Sequence, residues 1–224
     1  MIRVFIGFDP REAVAFNVLA YSIQARSSVP VSISAVKLSQ LRTALTRARH
    51  PLQSTDFSLS RFLTPYLSDF SGWSLFMDCD MLMLDDIANL WKLRDERFAV
   101  MVVKHDHRPR ETTKFLGESQ SAYEKKNWSS VVLFNNARCR ALSPEYVNQA
   151  SGLDLHQFKW LGSDDLIGEL PRGWNHLVGY DAPSREVSVV HYTLGGPYFA
   201  EYADCEYADD WRSARAAMLF AGAR

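Results

Sequence analysis

Several features that would define a function class are scarce in this chain of 224 residues. It has only three cysteines, none of them in a CxxC pair. This argues against a disulfide framework or a structural zinc site, and favours reduced thiols in a cytoplasmic protein. The formal net charge is −1, so no global basic field predicts nucleic acid as a partner.

Long apolar runs and linkers are also missing. The longest apolar run of consequence, residues 98–103, is far shorter than the ~20 residues that span a bilayer. No transmembrane segment is therefore predicted, while peripheral contact with a membrane stays open. No repeat, low-complexity tract or Gly/Ser linker divides the sequence, so residues 1–224 are predicted to form one domain.

The apolar segments alternate between strand-like and helix-like patterns. Strands are predicted at 4–8, 31–36, 73–77, 99–103, 131–134 and 187–191. Helices are predicted at 11–24, 60–67, 87–93 and 209–220, with another starting at Ser143. This alternation predicts an α/β, Rossmann-like fold with a mostly parallel sheet and helices on both faces. In such sheets ligands bind beyond the C-terminal ends of the strands.

The sharpest local signal is an apolar strand that runs straight into two acids, Asp78 and Asp80. Burial of a charge is costly unless the charge is paired or bound to a metal. Residues i and i+2 of a strand share a face, and a bend would turn both carboxylates toward one hard cation such as Mg²⁺ or Mn²⁺. Loop acids that cap a helix or face water are the alternative. Asp85 and Asp86 are expected to cap the helix at 87–93.

Four segments in register resemble the GT-A class of glycosyltransferases, and family 8 in particular. They are the helix 55–67 before the two acids, the D-x-D strand 73–82, the segment 127–136, and the segment 161–175 with its Asp164-Asp165 pair. A fifth, 191–199, is similar to the family's His-x-x-Gly-x-x-Lys-Pro-Trp motif. The resemblance extends from about residue 3 to residue 200 and implies the GT-A fold.

The resemblance also implies roles for individual residues. Asp78, Asp80 and His191 would hold a Mn²⁺ or Mg²⁺ ion, and Cys79 would lie within the same donor-binding segment. Gly7, Phe8 and Asp9 would cradle the base and ribose of a nucleoside-diphosphate sugar, UDP being the commonest nucleotide in the class. Arg61 would orient the nucleotide or an acidic neighbour.

For catalysis, the resemblance implies a hexosyltransferase-like reaction that transfers a sugar to the hydroxyl of a glycan or small-molecule acceptor with retention. Asp164 would lie near the anomeric face of the sugar, and Asp164 or Asp165 would stabilise the reacting centre or act as base. The family's diphosphate-binding Lys is missing, because Gly195-Gly196-Pro197-Tyr198 occupies that stretch. Backbone N–H groups of Gly195 and Gly196 are one replacement. A lysine from elsewhere is another, the candidates being Lys104, Lys125 and Lys126.

Two other functions stay open on the sequence alone. An aspartyl-phosphate phosphatase also places D-x-D after a buried strand, with Asp78 as nucleophile. A non-catalytic nucleotide-sugar or glycan-binding module would keep the fold and lose turnover. His105 and His107 form either a second metal pair, a solvated polar loop or an acceptor-side wall. The tryptophans are expected in the core, with one of them or Tyr198 as a candidate sugar platform.

Overall fold

A computed structural model describes residues 1–50, 53–118, 122–184 and 186–220. Its strands are β1 Ile2–Phe8, β2 Val31–Lys37, β3 Trp73–Met77, β4 Met81–Met83, β5 Val100–Val102, β6 Val131–Asn135, β7 Ile167–Glu169, β8 His176–Leu177 and β9 Val189–His191. Its α-helices are α1 Ala13–Arg26, α2 Thr64–Leu67, α3 Ile87–Lys92, α4 Pro144–Gln149, α5 Gly152–His156 and α6 Ala208–Phe220.

Helix starts follow local sequence signals. The Asp9 side chain accepts a hydrogen bond from the Arg11 N–H, and Pro10 begins the 3₁₀ turn Pro10–Glu12 that leads into α1. Asp86 caps α3 by accepting from the Ala88 N–H, and Ser143 caps α4 by accepting from the Tyr146 N–H. The predicted capping roles of Asp86 and Ser143 are therefore confirmed.

The main sheet has six strands in the order β2-β1-β3-β6-β5-β7. Only β6 runs against the others, since it pairs antiparallel with both β3 and β5. The predicted α/β fold with a mostly parallel sheet is confirmed. A second sheet has the order β4-β9-β8. The sequence patterns did not predict β4, β7 or β8, which have only two or three residues each.

The reversed strand decides which residues lie at the edge of the sheet where β1 and β3 end. Met77, the last residue of β3, pairs with Val131, the first residue of β6. The residues just before β6 therefore meet the residues just after β3, and the Asp78 N–H donates to the Ser130 carbonyl at 2.9 Å. β1 and β3 are parallel, so the chain leaves both of these strands at the same edge of the sheet.

The core lies mainly around the six-stranded sheet, where every residue of β3 and β6 is buried. A smaller apolar cluster joins α1 to α6 through Val18, Leu82, Val190 and Trp211. Burial of these side chains stabilises the fold at about 25 cal/mol per Å² of apolar surface removed from water. Within the described ranges, no helix combines the length and the apolar character needed to cross a membrane.

Candidate functional site

The two acids of the D-x-D pattern lie in the short connection between β3 and β4. β3 belongs to the large sheet and β4 to the small one, so the connection passes from one to the other. In the small sheet Met81 pairs with His191 at the end of β9, and the Tyr192 N–H donates to the Asp80 carbonyl at 2.9 Å. Strand pairing therefore places a histidine from the C-terminal part of the chain beside the acids.

Asp78, Asp80 and His191 each offer one ligand atom, and these atoms lie within 4.8 Å of one another. The His191 Nε2 lies 3.5 Å from the Asp80 Oδ1. All three residues are at most 9% exposed. The Oδ1 atoms of both aspartates are buried; that of Asp80 has no hydrogen-bond donor, and that of Asp78 is paired with the Arg61 guanidinium at 2.7 Å. Buried carboxylate oxygens beside an imidazole fit a divalent cation, since the positive ion would compensate their charge.

Asn175 orients the histidine of this group. Its Oδ1 lies 2.8 Å from the His191 Nδ1, and the Asn175 side chain is fully buried. With the proton on Nδ1, the imidazole donates to Asn175 and presents the lone pair of Nε2 to the acids. Metal-binding histidines are commonly held in this way by a hydrogen bond from the other ring nitrogen.

Arg61 is the nearest cation to the D-x-D acids. Its guanidinium lies 2.7 Å from the Asp78 Oδ1 and also donates to the carbonyls of Ser58 and Ser129. Burial raises the pKa of Asp78, while Arg61 opposes that rise. The prediction that Arg61 orients an acidic neighbour matches this geometry, and its contact with a nucleotide stays a prediction.

These residues open into a cleft of about 640 Å³. Asp78, Asp80, His191, Arg61 and their neighbours form its floor. Other residues of its wall are Arg47, His50, Gln53, Ser54, Phe57, Lys114, Tyr123, Lys126, Asn127, Ser129, Ser130, Gly152, His156 and Thr193. The volume lies within the ~300–1,000 Å³ typical of small-molecule sites.

The predicted base-and-ribose segment supports the cleft from behind. Gly7, Phe8 and Asp9 are not among the residues that line it. A Cβ on Gly7 would lie 2.3 Å from the ring of Phe57, which does line the cleft. Asp9 accepts from Arg11 and from the Asp56 N–H. Burial would raise the pKa of Asp9, but these hydrogen bonds hold it below the ordinary value.

Cys79, Gly195 and Gly196 also lie outside the lining. The Cys79 thiol is buried, with Glu12 3.9 Å away. The Gly195 N–H already donates to the Tyr192 carbonyl, which leaves its predicted phosphate contact without a free donor. A Cβ on Gly196 would lie 2.3 Å from the Tyr198 ring. Tyr198 itself donates to Glu12 inside the protein and is not a cleft-lining residue.

Asp164 and Asp165 lie on an exposed 3₁₀ turn, Asp164–Leu166. The Asp164 side chain is 71% exposed and lies 2.5 Å from the Lys125 Nζ. Asp165 accepts from the Ser163 hydroxyl. Neither aspartate lines the cleft, and their catalytic roles stay predictions.

The histidines outside the metal group differ from the expected solvated loop. His105 is 3% exposed, and neither of its ring nitrogens has a hydrogen-bond partner among the described residues. Burial lowers the pKa of His105 to about 3. The solvated-loop interpretation is therefore wrong for His105, because its side chain is buried although the neighbouring Asp106 is exposed. Within the described ranges, only Asp78, Asp80 and His191 form a group of three close metal-ligating side chains.

Sequence reasoning missed several residues of the site. Lys114 belongs to no motif. Asn175 and Thr193 lie within the segments 161–175 and 191–199, but neither was assigned a role, because their places in the site depend on loop packing and strand pairing. His156 also lines the cleft, and its Nδ1 lies 2.8 Å from the Ser129 hydroxyl. Of the lysines considered, Lys126 lines the cleft, whereas Lys125 and Lys104 do not.

Comparison with solved structures identifies the fold. The chain superposes on the WbbM bifunctional glycosyltransferase with a TM-score of 0.68 at 14% identity, covering 96% of this chain and 49% of that one. The galactosyltransferase LgtC in complex with donor and acceptor sugar analogues gives 0.64 at 14% identity, covering 96% of both chains. Glycosyltransferase GlyE of Streptococcus pneumoniae TIGR4 gives 0.64 at 13% identity, covering 98% of this chain and 63% of that one. The chain thus spans about half of WbbM, under two thirds of GlyE and nearly all of LgtC, and its fold is the GT-A fold.

No family model matches the sequence. The sequence does match a curated relative, Protein CDI of Arabidopsis thaliana. The two are 48% identical over 218 residues, which cover 93% of this chain and 84% of the plant protein. Identity at this level over nearly the whole length shows common descent. The chain is a GT-A-fold protein that belongs to the same family as Protein CDI.

Proposed function

We propose that the protein is a metal-dependent glycosyltransferase that moves a sugar from a nucleoside-diphosphate sugar to an acceptor hydroxyl. One observation carries the proposal: the carboxylates of Asp78 and Asp80 and the imidazole of His191 offer ligand atoms within 4.8 Å of one another in the lining of a 640 Å³ cleft. The GT-A fold and the neighbouring cleft lysines support it. A site that joins buried carboxylates to nearby cations suits a metal–diphosphate complex.

Asp78, Asp80 and His191 would hold a divalent ion, with Mn²⁺ and Mg²⁺ both compatible with two carboxylates and one imidazole. Such an ion supplies positive charge against the departing nucleoside diphosphate. Asn175 keeps the His191 lone pair aimed at the acids, and Arg61 keeps Asp78 in place.

Other groups of the cleft would contribute to the transfer besides the metal ligands. Cations fixed beside the leaving group lower the barrier because the negative charge of the diphosphate grows in the transition state. The family-8 likeness, a UDP-sugar donor, retention of configuration, and Asp164 or Asp165 near the sugar belong to the proposal as predictions. A cytoplasmic location is likewise a prediction, from the spacing of the cysteines.

The phosphatase alternative finds less support in the geometry. Its nucleophile, Asp78, already lies 2.7 Å from Arg61, and burial raises the pKa of this carboxyl. A protonated or ion-paired carboxylate is a weak nucleophile. The carboxylate pair is better suited to holding a cation than to attacking a phosphate ester.

The test is a calorimetric titration of the purified protein with UDP, GDP, ADP and CDP, each with Mn²⁺ and with EDTA. We expect one of these nucleotides to bind only in the presence of the metal. The sugar donor that carries the same nucleotide should then be hydrolysed slowly when no acceptor is present. Hydrolysis of p-nitrophenyl phosphate without binding of any diphosphate would instead identify a phosphatase. Metal-dependent binding with no turnover of any donor would identify a non-catalytic module.

A further inference from the structure

The segment that should carry a diphosphate-binding lysine serves in this chain as a docking surface for another loop. Residues 195–198 contain no cation. Just before them, the Leu194 carbonyl accepts from the Phe115 N–H at 2.8 Å. Just after them, the Phe199 ring stacks on the Phe115 ring with centroids 5.0 Å apart. Gly195, with φ +149°, leaves room for this approach, because a Cβ there would lie 3.2 Å from the Phe115 Cβ.

The docked loop is also fixed from its other side. Arg11, which follows β1, forms ion pairs with Asp9 and with Glu118. Its guanidinium lies 5.6 Å from the centre of the Phe115 ring. Phe115 is buried, at 1% exposure. The loop 114–118 is therefore held between the end of β1 and the C-terminal segment.

This docking brings Lys114 into the wall of the cleft. Among the described residues its ammonium forms no ion pair. Lys114 therefore shares the cleft with Asp78 and Asp80 and is not neutralised by either of them in a direct contact.

Lys126 is a second cation in the same wall. Within the described ranges it too has no carboxylate partner, and its ammonium lies 4.9 Å from the centre of the Tyr123 ring. Burial and the nearby charge of Lys114 lower the pKa of Lys126 to about 8. Two uncompensated ammonium groups that repel each other at the wall of one cleft are stabilised by an anion that contacts both.

We infer that Lys114 and Lys126 bind the two phosphates of the donor and replace, from a different loop, the lysine that residues 195–198 lack. The inference rests on the proposed function for the identity of the ligand. It differs from that proposal in one respect: the affinity for the diphosphate should depend on these two side chains and on the docked loop, whatever the base or the sugar.

The experiment measures binding of inorganic pyrophosphate and of UDP, each with Mg²⁺, to the full chain and its variants by calorimetry. We expect Lys114→Met and Lys126→Met each to weaken pyrophosphate binding about tenfold to a hundredfold, as for loss of one charge-assisted contact. Lys114→Arg should recover most of the affinity. Lys125→Met is the matched control, since Lys125 pairs with Asp164 and does not line the cleft; it should change affinity less than twofold.

Melting temperatures of all variants separate loss of binding from loss of folding. Unchanged pyrophosphate affinity in both folded Met variants would overturn the inference, as would failure of the wild type to bind any diphosphate. Lysine-dependent pyrophosphate binding without turnover of any nucleotide sugar would keep the inference and reject the glycosyltransferase proposal. Turnover of a nucleotide sugar that is unaffected in Lys114→Met would keep the glycosyltransferase proposal and reject the inference.

Discussion

Two acid pairs in this chain have a similar appearance in the sequence and different surroundings in the structure. Asp78 and Asp80 follow a buried strand and are at most 9% exposed; Asp78 is paired with Arg61, and the Asp80 Oδ1 has no hydrogen-bond donor. Asp164 and Asp165 are exposed, and each has a local partner, Lys125 and Ser163 respectively. The first pair is buried and short of hydrogen-bond donors, whereas the second has water and neighbours to satisfy it.

The difference shows what makes an acid available for chemistry. Solvent and salt screen an exposed carboxylate, so its interactions are worth little. A buried carboxylate that lacks a donor has a large electrostatic effect on any group that approaches it. Four predictions test this contrast between the D-x-D acids and the exposed acids, with the largest expected effect first.

The largest effect should come from the metal group. We expect Asp80→Asn to weaken metal-dependent binding of the nucleoside diphosphate by about a hundredfold or more, because even outer partners of metal ligands cost about 10–100-fold when removed. Asp165→Asn removes the same charge from the exposed pair and should leave the affinity within about twofold. Calorimetric titration of both variants with Mn²⁺ checks this. Equal losses in the two variants would contradict the contrast.

The next effect concerns the stability of the buried ion pair. Arg61→Met leaves Asp78 without its guanidinium and should lower the free energy of unfolding by about 3 kcal/mol, as expected when one partner of a buried pair is removed. Arg97→Met is the matched control. Arg97 is 80% exposed and pairs with Asp95 at 2.6 Å, and solvent and salt screen such a surface pair, so its loss should matter little. Urea denaturation of both variants measures the difference, and similar losses would argue against it.

A third buried acid extends the contrast to pH. Burial raises the pKa of Glu12 to about 8, against an ordinary value of 4.5. Between about pH 5 and pH 8 the folded protein keeps this proton and the unfolded chain does not. The free energy of unfolding should therefore fall as pH rises through this window.

Glu12→Gln keeps a hydrogen-bond acceptor for the Tyr198 hydroxyl and removes the ionisation. In EDTA, we expect this variant to lose less stability than the wild type between pH 5 and pH 8. Urea denaturation at several pH values provides the measurement. Identical slopes in the two proteins would show that Glu12 ionises normally.

The smallest effect should come from Asp164. Since the side chain is 71% exposed, Asp164→Asn should change the free energy of unfolding by no more than about 0.5 kcal/mol. Metal-dependent nucleotide binding should also be preserved. A role near the sugar would appear as a lower kcat alone, measured with the donor that the titration identifies. A loss of nucleotide affinity would contradict this prediction and would indicate that Asp164 contacts the diphosphate.

The sequence predicted best those features that depend on neighbours along the chain. The run from Trp73 to Met77 was recognisable as a buried strand from its apolar residues, and Asp86 and Ser143 as caps because a helix-forming segment begins directly after each of them. Asp78 and Asp80 were recognisable as a candidate cation site from the buried strand before them. His191 was predicted only through the family-8 resemblance, because no local pattern shows that β9 pairs with β4.

The features that the sequence could not predict depend on packing between distant segments. Lys114 lies in a stretch without periodicity, and its position follows from Phe115 docking on Leu194 and Phe199. The reversed direction of β6 likewise cannot be inferred from an apolar run. That direction brings Ser129 and Ser130, which precede the strand, to the cleft instead of the residues after it.

The docking of the 114–118 loop on residues 194–199 also has a consequence for the order of events during synthesis. The ribosome releases β1, β3 and β6 well before the segment that contains His191 and Phe199. Until that segment emerges, the D-x-D acids lack their histidine and Lys114 lacks its support. Because a domain folds as a unit, we expect the metal group and the cleft wall to form only after synthesis has passed the last strand of the small sheet and Phe199.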